Sequence, residues 1–384
     1  MMSNPAYFFL PNVSLFRPGC LNEIGTQAAR RGVKKFLLVT DDFLAETETV
    51  RRIERLLQAQ GIGLCVYKGV TPNPTLESVN EAFLQFCEMG CSGVISLGGG
   101  SSHDCGKAVC ILATNPAPLE QYVGVDLFPH RSAPMIAVNT TAGTASEITN
   151  CFIITDTKTN TKLIFEGANA LADVAVNDPE LMLTLPKGLT AATGMDALTH
   201  AIECYVSKLS FPLTDELALI AVRYIFENLP IAVEQPQDLK ARENMTYGEY
   251  MAGMAFGSGG VGLVHAIAHQ LGGVYNLPHG LCNAILLPYV IRFNKHACAE
   301  RYREILAVLE SSAPQSAEEA TDLLIERIFA LSERIGTRKP LRELGVREED
   351  FPLLAKKALC DSCSETNPIA ASPAEIIEIL QAAF

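Results

Sequence analysis

The sequence lacks the features that would place the protein at a membrane or on nucleic acid. No window approaches about 18 uninterrupted apolar residues, the length that a membrane-spanning helix needs. Lysine and arginine number 30 against 43 aspartates and glutamates, which gives a net charge of −13, and they form no basic block. Residues Met1 to Gly19 contain no basic segment followed by an apolar core, so a secretory signal is not indicated. We therefore expect a cytoplasmic protein with neither a nucleic-acid partner nor a membrane partner.

The sequence also lacks the cysteine framework of a small disulfide-rich protein. Its 12 cysteines are scattered over 384 residues, and an unexported protein keeps its thiols reduced. Cys360 and Cys363 have the spacing of a redox or zinc motif, but no second pair accompanies them. We interpret these two as structural thiols in a helical segment. With 48% hydrophobic residues, the chain has the composition of a globular protein with a large core.

Short apolar runs alternate with helical patterns through the first 180 or so residues. This alternation predicts a parallel sheet with helices on its faces. An edge strand or hairpin is expected between Tyr7 and Gly19, and a second hairpin around the turn Lys158-Thr159-Asn160. The other strands are predicted at Lys35 to Thr40, Gly63 to Tyr67, Gly93 to Leu97, Pro134 to Val138 and Asp173 to Asp178.

Long helical patterns replace the strands from about Leu185 onward. We place a domain boundary near Pro186, between an α/β NAD-binding domain (1–185) and an all-helical metal-binding and catalytic domain (186–384). We expect one of these helices to break at Gly272-Gly273. The first four helices are predicted at Leu189 to Leu209, Asp215 to Leu229, Ala241 to Phe256 and Gly262 to Leu271.

Four of the seven histidines and one aspartate cluster in the second half of the sequence. Asp196 and His200 are four residues apart, as are His265 and His269, so a helix places each pair on one face. His279 follows shortly after the second pair. One carboxylate and several imidazoles form a ligand set for a divalent metal such as Fe(II) or Zn(II). His269 is either a further ligand or a proton carrier close to the metal.

Basic residues are absent around these candidate ligands. Neither Thr190 to Ser207 nor Tyr250 to Leu287 contains a lysine or arginine, and apolar residues such as Phe256 dominate both stretches. Nothing there could hold a second anion such as a phosphate. The pattern therefore favours a small, uncharged substrate whose oxygen binds the metal and is made more acidic by it.

Two loops rich in glycine and hydroxyl side chains follow predicted strands. The first, Gly98 to Ser102, joins a strand to a helix, where glycines allow a pyrophosphate to approach the backbone and the helix N-terminus favours its charge. The second contains Thr140, Thr141 and Thr144. The first loop by itself could be only a tight turn. Together the two loops are typical of a site for one extended dinucleotide.

Asp41 ends the first predicted strand of the alternating region. A carboxylate at such a position can bind the ribose hydroxyls of NAD and repels the 2′-phosphate of NADP. No arginine occurs between Phe36 and Val50 to hold that phosphate, so we expect NAD to be preferred. The alternative role of Asp41 is to cap the helix that follows.

Five segments together resemble the iron-containing, group III alcohol dehydrogenases, and the resemblance covers essentially the whole chain. Within that family the sequence looks most similar to the short NAD-dependent ethanol dehydrogenases of bacteria, with lactaldehyde (1,2-propanediol) and 1,3-propanediol dehydrogenases as near relatives. The segments are GGGSSHDCGKA (98–108), TTAGTASEIT (140–149), NDPELM (177–182), AATGMDALTHAIE (191–203) and HAIAHQLGGVYNLPHG (265–280).

The resemblance implies a function and a set of site residues. It implies reversible hydride transfer between a small primary alcohol and NAD, a catalytic role for His269 close to the metal, a cleft between the two domains and a homo-oligomer. The implied metal ligands are Asp196, His200, His265 and His279. The implied NAD contacts are Asp41, Asn73, Gly99, Gly100, Ser101, Ser102, Thr140, Thr141, Thr144, Thr149, Lys162 and Leu181.

The sequence departs from common family residues at Ser102, Cys151 and Cys204, which weakens any inference about the preferred alcohol. Two other classes of protein fit the sequence less well than a dehydrogenase does. Dehydroquinate synthase has a similar architecture, but its phosphorylated acid substrate needs cationic side chains that the ligand-bearing stretches lack. A metal-stabilised scaffold would need no dinucleotide loop.

Overall fold

The computed structural model describes residues 6–159, 161–312 and 314–384. In the N-terminal half of the chain, six strands form a fully parallel sheet. The strand order is β1-β9-β6-β4-β2-β3, so the first strand lies at an edge, as predicted. The central strands β4, β6 and β9 are entirely buried, which explains why they read as continuous apolar runs. The strands are β1 (Val13–Phe16), β2 (Lys35–Val39), β3 (Gly63–Tyr67), β4 (Gly93–Gly98), β6 (Met135–Asn139) and β9 (Val174–Asn177).

Three further strands form a small second sheet in the order β5-β8-β7. Strands β7 (Cys151–Asp156) and β8 (Thr161–Glu166) are antiparallel and form the predicted hairpin, while β5 is Gly124–Val125. The rings of Phe152 and Phe165 stack across this hairpin with centroids 4.8 Å apart. Asn160 of the predicted turn lies outside the described residues.

Helices cover both faces of the parallel sheet. One apolar cluster packs α1 and α3 against it, and the other packs α4 and α5 together with the small second sheet. Thr75 and Ser78 form a reciprocal capping box at the start of α4. These helices are α1 (Ile24–Arg30), α2 (Asp42–Ala45), α3 (Glu48–Gln58), α4 (Leu76–Glu88) and α5 (Gly100–Leu112).

The second half of the chain is helical. Buried residues of α6, α7, α8 and α10 provide its core. The helices are α6 (Lys187–Val206), α7 (Pro212–Glu234), α8 (Leu239–Gly259), α9 (Leu263–Tyr275), α10 (His279–Leu309), α11 (Ala317–Ile335), α12 (Phe351–Leu359), α13 (Cys363–Thr366) and α14 (Pro373–Ala382). No single helix of the described residues is both long and apolar enough to cross a membrane; α8 and α9 meet the two conditions only as a pair, with a bend of 100° between them.

The chain divides into two units. The α/β unit comprises Phe9–Thr141 and Ala145–Leu183. The helical unit comprises Thr184–Phe384 together with Ala142–Thr144 and residues 6–8. Three residues of the predicted cofactor loop therefore group with the helices rather than with the sheet.

The expected helix break at Gly272-Gly273 is wrong. Helix α9 continues through both glycines to Tyr275 and ends at Asn276, whose φ of 53° is the left-handed conformation common after a helix. Gly272 is buried, and burial of the surrounding helix outweighs the modest intrinsic cost of glycine in a helix. The break before His279 therefore lies a few residues later than the sequence indicates.

Candidate functional site

Three helices bring a carboxylate and two imidazoles together in the helical unit. Asp196 lies in the middle of α6, His265 in the first turn of α9 and His279 at the first residue of α10. One potential ligand atom of each lies within 4.8 Å of the other two. Asp196 and His279 are 83 positions apart in sequence, so only the packing of the helices creates the cluster.

The cluster surrounds the amide group of a fourth side chain. Nδ2 of Asn283 lies 2.6 Å from Oδ1 of Asp196 and 3.1 Å from Nε2 of both His265 and His279. Oδ1 of Asn283 is buried and has no hydrogen-bond partner in the described part of the chain. One carboxylate oxygen and two imidazole nitrogens thus converge on the positive end of one amide dipole, which is the kind of position that a cation would fill.

The electrostatics of the cluster also favour positive charge. Burial opposes ionisation of Asp196, but the neighbouring imidazoles of His279, His200 and His265 outweigh it and lower the pKa of Asp196 overall. Burial likewise lowers the pKa of His265, yet hydrogen bonds to Asp196 and Glu203 raise it to about 9. Without a metal, the cluster therefore retains a proton. The residues present fit a divalent cation, whose binding would replace that proton.

The fourth predicted ligand, His200, lies beside this group but outside the set of three that converge within 4.8 Å. Its ring stacks on Phe256 with centroids 4.0 Å apart and on His265 with centroids 4.6 Å apart. Burial lowers the pKa of His200 to about 3, so the imidazole is neutral and its lone pair can bind a metal. Its role as a ligand stays a prediction.

Glu203 supports His265 and was missed by the sequence analysis. Its Oε2 lies 2.6 Å from Nδ1 of His265, and its Oε1 accepts a hydrogen bond of 2.6 Å from the backbone N–H of Val264 at the start of α9. The Glu203 carboxylate accepts a hydrogen bond from Nδ1–H of His265, so Nε2 of the same ring is the nitrogen that faces Asp196. The available signal was spacing, since Asp196, His200 and Glu203 follow one helical face at i, i+4 and i+7.

His269 lies next to the cluster with a carboxylate partner of its own. Its ring centroid is 5.4 Å from that of His279 and 6.1 Å from that of His265. Nδ1 of His269 lies 2.9 Å from Oδ2 of Asp361, and both side chains are 93% buried, with 7% exposed. Asp361 also was missed, because 92 residues separate it from His269.

The predicted phosphate loop lies where two neighbouring parallel strands end. Gly98 at the end of β4 pairs with Asn139 at the end of β6, and the N–H of Thr140 donates to the carbonyl of Gly98 over 2.9 Å. A side chain on Gly99 would place its Cβ only 2.8 Å from Oγ1 of Thr141. The close approach of Thr141 therefore requires glycine at position 99, and α5 begins at the next residue, Gly100, with its N-terminus at this loop.

Other predicted cofactor residues are distributed around the α/β unit. Oδ1 of Asp41 accepts a hydrogen bond of 2.7 Å from the N–H of Leu44, so Asp41 does cap α2. Nζ of Lys162 donates to Oδ1 of Asn73 over 3.1 Å, which brings those two together. Ser102 and Thr149 are buried, Gly100 and Ser101 are half-buried, and Leu181 packs against the core of the sheet, whereas Thr144 belongs to the helical unit.

The cysteines that the sequence analysis singled out form no disulfide among the described residues. Cys204 is buried, and Cys151 is half-buried at the start of β7. Cys360 is exposed just after α12, whereas Cys363 is half-buried at the start of α13.

The fold and the site together define a class of metal-dependent oxidoreductase. A parallel α/β unit has a glycine- and serine-rich loop at its strand ends, and a helical unit holds a carboxylate and imidazoles around one point. The sequence patterns of two protein families assign the chain more closely: "Iron-containing alcohol dehydrogenase" matches residues 11–179, and "Fe-containing alcohol dehydrogenase family, C-terminal" matches residues 190–384. The chain belongs to the iron-containing alcohol dehydrogenase family and is an oxidoreductase of that type.

Individual relatives agree with this assignment over the full length. The chain is 44% identical to 1,3-propanediol dehydrogenase of Citrobacter freundii over 380 residues, which cover 98% of each protein. It is 41% identical to NAD-dependent methanol dehydrogenase of Bacillus methanolicus, covering 98% of this chain and 99% of that one. The crystal structure of a 1,3-propanediol oxidoreductase superimposes with a TM-score of 0.97 at 42% identity, over 99% of this chain and 100% of the other.

Proposed function

We propose that this enzyme transfers hydride reversibly between a small primary alcohol, such as ethanol, and NAD, and produces the corresponding aldehyde. The observation that carries the proposal is the convergence of Asp196, His265 and His279 on one point, with Asn283 Nδ2 in the position of a cation. The proposed metal is Fe(II) or Zn(II), since carboxylate and imidazole ligands suit both.

Asp196, His200, His265 and His279 would hold the metal. When bound, a divalent cation polarises the oxygen of the alcohol or aldehyde and lowers the pKa of the alcohol. Glu203 would keep Nδ1 of His265 protonated, so that Nε2 stays directed at Asp196. The carboxylates of Asp196 and Glu203 would together balance the charge of a divalent ion.

His269 is the proposed carrier of the hydroxyl proton. Asp361 accepts hydrogen bonds when ionised, so Nδ1 of His269 carries the hydrogen between them and Nε2 is left with a lone pair. Gln270 donates to the same carboxylate oxygen over 3.3 Å and helps to hold it in place. His269 can therefore accept a proton at Nε2 while Asp361 stabilises the resulting imidazolium.

The proposed NAD site is built on the loops of the α/β unit. Gly99, Gly100, Ser101 and Ser102 would bind the pyrophosphate at the N-terminus of α5, and the remaining predicted contacts (Asp41, Asn73, Thr140, Thr141, Thr144, Thr149, Lys162 and Leu181) would bind the rest of the dinucleotide. Oδ1 of Asp41 caps α2, and the negative charge of this carboxylate still disfavours a 2′-phosphate. The methanol dehydrogenase of Bacillus methanolicus, a relative of this chain, is NAD-dependent by name, which supports NAD as the cofactor.

The substrate is proposed to be uncharged because the stretches around the ligands contain no lysine or arginine. A second candidate is a short diol or hydroxyaldehyde: 1,3-propanediol, or lactaldehyde and 1,2-propanediol. Relatives named 1,3-propanediol dehydrogenase (44% identical) and lactaldehyde reductase (39% identical) favour it. The two candidates share one mechanism and differ in the alcohol that gives the higher kcat/KM.

A substrate panel tests the proposal. Enzyme reconstituted separately with Fe(II) and with Zn(II) is assayed with methanol, ethanol, 1,2-propanediol and 1,3-propanediol plus NAD, and with the aldehydes plus NADH. We expect turnover of small primary alcohols and a higher kcat/KM with NAD than with NADP. A preference for NADP would refute the role of Asp41, and the absence of turnover with every alcohol and aldehyde of the panel would refute the proposed reaction.

A further inference from the structure

A second group of metal-ligating side chains lies beside the first in the helical unit. It consists of His269 in α9, Asp361 in the turn after α12 and Cys363 at the start of α13. One imidazole nitrogen, one carboxylate oxygen and the sulfur lie within 4.8 Å of one another. None of these three is among the predicted ligands of the first centre.

The carboxylate of Asp361 lies between the other two donors. Oδ2 is 2.9 Å from Nδ1 of His269, and Oδ1 accepts a hydrogen bond of 3.0 Å from the backbone N–H of Cys363. The thiol of Cys363 also hydrogen-bonds to this carboxylate. The three donors are thus already assembled around one point, so that a cation would bind with little rearrangement.

The donor set has a definite chemical preference. Imidazole nitrogen, carboxylate oxygen and thiolate sulfur are the three ligand types that Zn(II) accepts, and three protein ligands leave a fourth position for water. Fe(II) and Zn(II) both suit the first cluster, but a thiolate shifts the preference of this second group toward the softer zinc-like ions.

The charges of the side chains allow each of the two neighbouring sites to hold its own cation. At the first centre, Asp196 and the Glu203 carboxylate on His265 supply two negative charges to one divalent ion. At the second, Asp361 and the Cys363 thiolate supply another two. Each filled site is therefore close to neutral, so the repulsion between two bare divalent ions does not apply.

We propose that His269, Asp361 and Cys363 form a second, inhibitory binding site for Zn(II) and ions of similar preference. On binding, Cys363 Sγ–H releases its proton to solvent and the thiolate coordinates the ion. The coordinating nitrogen of His269 supplies its lone pair. If that nitrogen is Nδ1, its hydrogen moves to Nε2. In either case His269 no longer has a lone pair with which to accept the hydroxyl proton.

The inhibition rests on the proposed proton-carrying role of His269, whereas the metal site itself does not. Cobalt(II) separates the two, because thiolate-to-cobalt charge transfer produces an intense near-ultraviolet absorption that nitrogen and oxygen ligands do not. The first centre contains no sulfur ligand among its predicted residues. Cobalt that enters that centre by exchange therefore gives no such band.

The experiment is a titration of the Fe(II)- or Zn(II)-loaded enzyme with cobalt(II), followed by absorption and by metal analysis. We expect a thiolate charge-transfer band that saturates at one further equivalent per chain. Cys363→Ser should abolish the band, while the matched control Cys360→Ser, an exposed cysteine three residues earlier, should retain it. No band in the wild type, or a band that survives Cys363→Ser, would overturn the site.

Activity provides the second readout. As Zn(II) fills the second site, kcat should fall by about 10²-fold or more, the usual contribution of a general acid–base group. The Cys363→Ser enzyme should resist the same zinc concentration. A cobalt band without any loss of activity would leave the metal site intact and contradict the role of His269 in the proposed function.

Discussion

At the scale of single residues, the proposed metal centre depends on the donor atoms of a few side chains. We expect His265→Ala to lose metal and activity together, because His265 connects Asp196 to Glu203 and is one of the three converging donors. Metal content by elemental analysis and kcat measured in parallel check this. The control His296→Ala removes an exposed histidine of α10 and should retain both. A full metal complement in His265→Ala would refute the ligand assignment.

His269→Ala should separate the loss of activity from the loss of metal. The variant should retain metal, while kcat for alcohol oxidation falls by about 10²- to 10⁴-fold, because the proposed acceptor for the hydroxyl proton is lost. KM should change much less than kcat. The measurement is steady-state kinetics on enzyme of known metal content. Loss of metal from this variant would mean that His269 is a ligand.

Glu203→Gln tests the support of His265. The amide retains an oxygen that can accept from the N–H of Val264, so the start of α9 should persist. The charge that fixes His265 is lost, and metal affinity should fall by about 10- to 100-fold. Competition with a chelator of known affinity measures this. Glu300→Gln, at an exposed position of α10, is the control, and equal affinities in the two variants would contradict the prediction.

At the scale of secondary-structure elements, the site depends on how closely α10 approaches α6. A Cβ on Gly280 would overlap the backbone carbonyl of Ala192, one helical turn before Asp196, so a side chain there would push the start of α10 away. Because His279 is the adjacent residue, the metal cluster should open. The glycine is required at this position by a close backbone approach.

We therefore expect Gly280→Ala to reduce both metal affinity and the midpoint of urea unfolding. The matched control is Gly273→Ala, since a Cβ there meets nothing within 4 Å. That change lies inside α9 and should stabilise the protein by roughly 0.5–1 kcal/mol through the better helix propensity of alanine. Equal metal affinity in the two variants would show that the α6–α10 contact does not position His279.

At the scale of the whole molecule, the metal should stabilise only the unit that binds it. A ligand that binds the folded state at about 100 times its Kd adds roughly 2.7 kcal/mol to the free energy of unfolding. Chelation should therefore lower the Tm of the helical unit by calorimetry. The same chelator should have no effect on His265→Ala, which already lacks metal. A chelator effect of equal size on that variant would argue against metal loss as the cause.

Much of the fold was predictable because each element satisfies a local rule. The central strands β4, β6 and β9 are buried on both faces and read as apolar runs, and the long helices have helical periodicity. The break expected at Gly272-Gly273 shows where local rules fail. The cost of glycine in a helix is small, and the burial of α9 outweighs it.

The site was predictable only in part, for a related reason. The i, i+4 pairs identified Asp196, His200, His265 and His269, since one helical turn is a local pattern. Asn283 was not recognised, because its neutral amide carries no metal-ligand signal by itself. Asp361 was not recognised as the partner of His269, because no sequence spacing relates residues on α9 and in the turn after α12.

The amino-acid sequence by itself determined the candidate ligands of the first centre, which segments form strands or helices, and that the ligand-bearing stretches contain no lysine or arginine. It could do so because periodicity and composition are properties of neighbouring residues. Only the tertiary structure decided that Asn283 lies among the ligand atoms, that Glu203 orients His265, and that Asp361 and Cys363 meet His269. Those contacts depend on how helices pack across separations of up to some ninety residues, and that packing follows from the fit of whole buried surfaces.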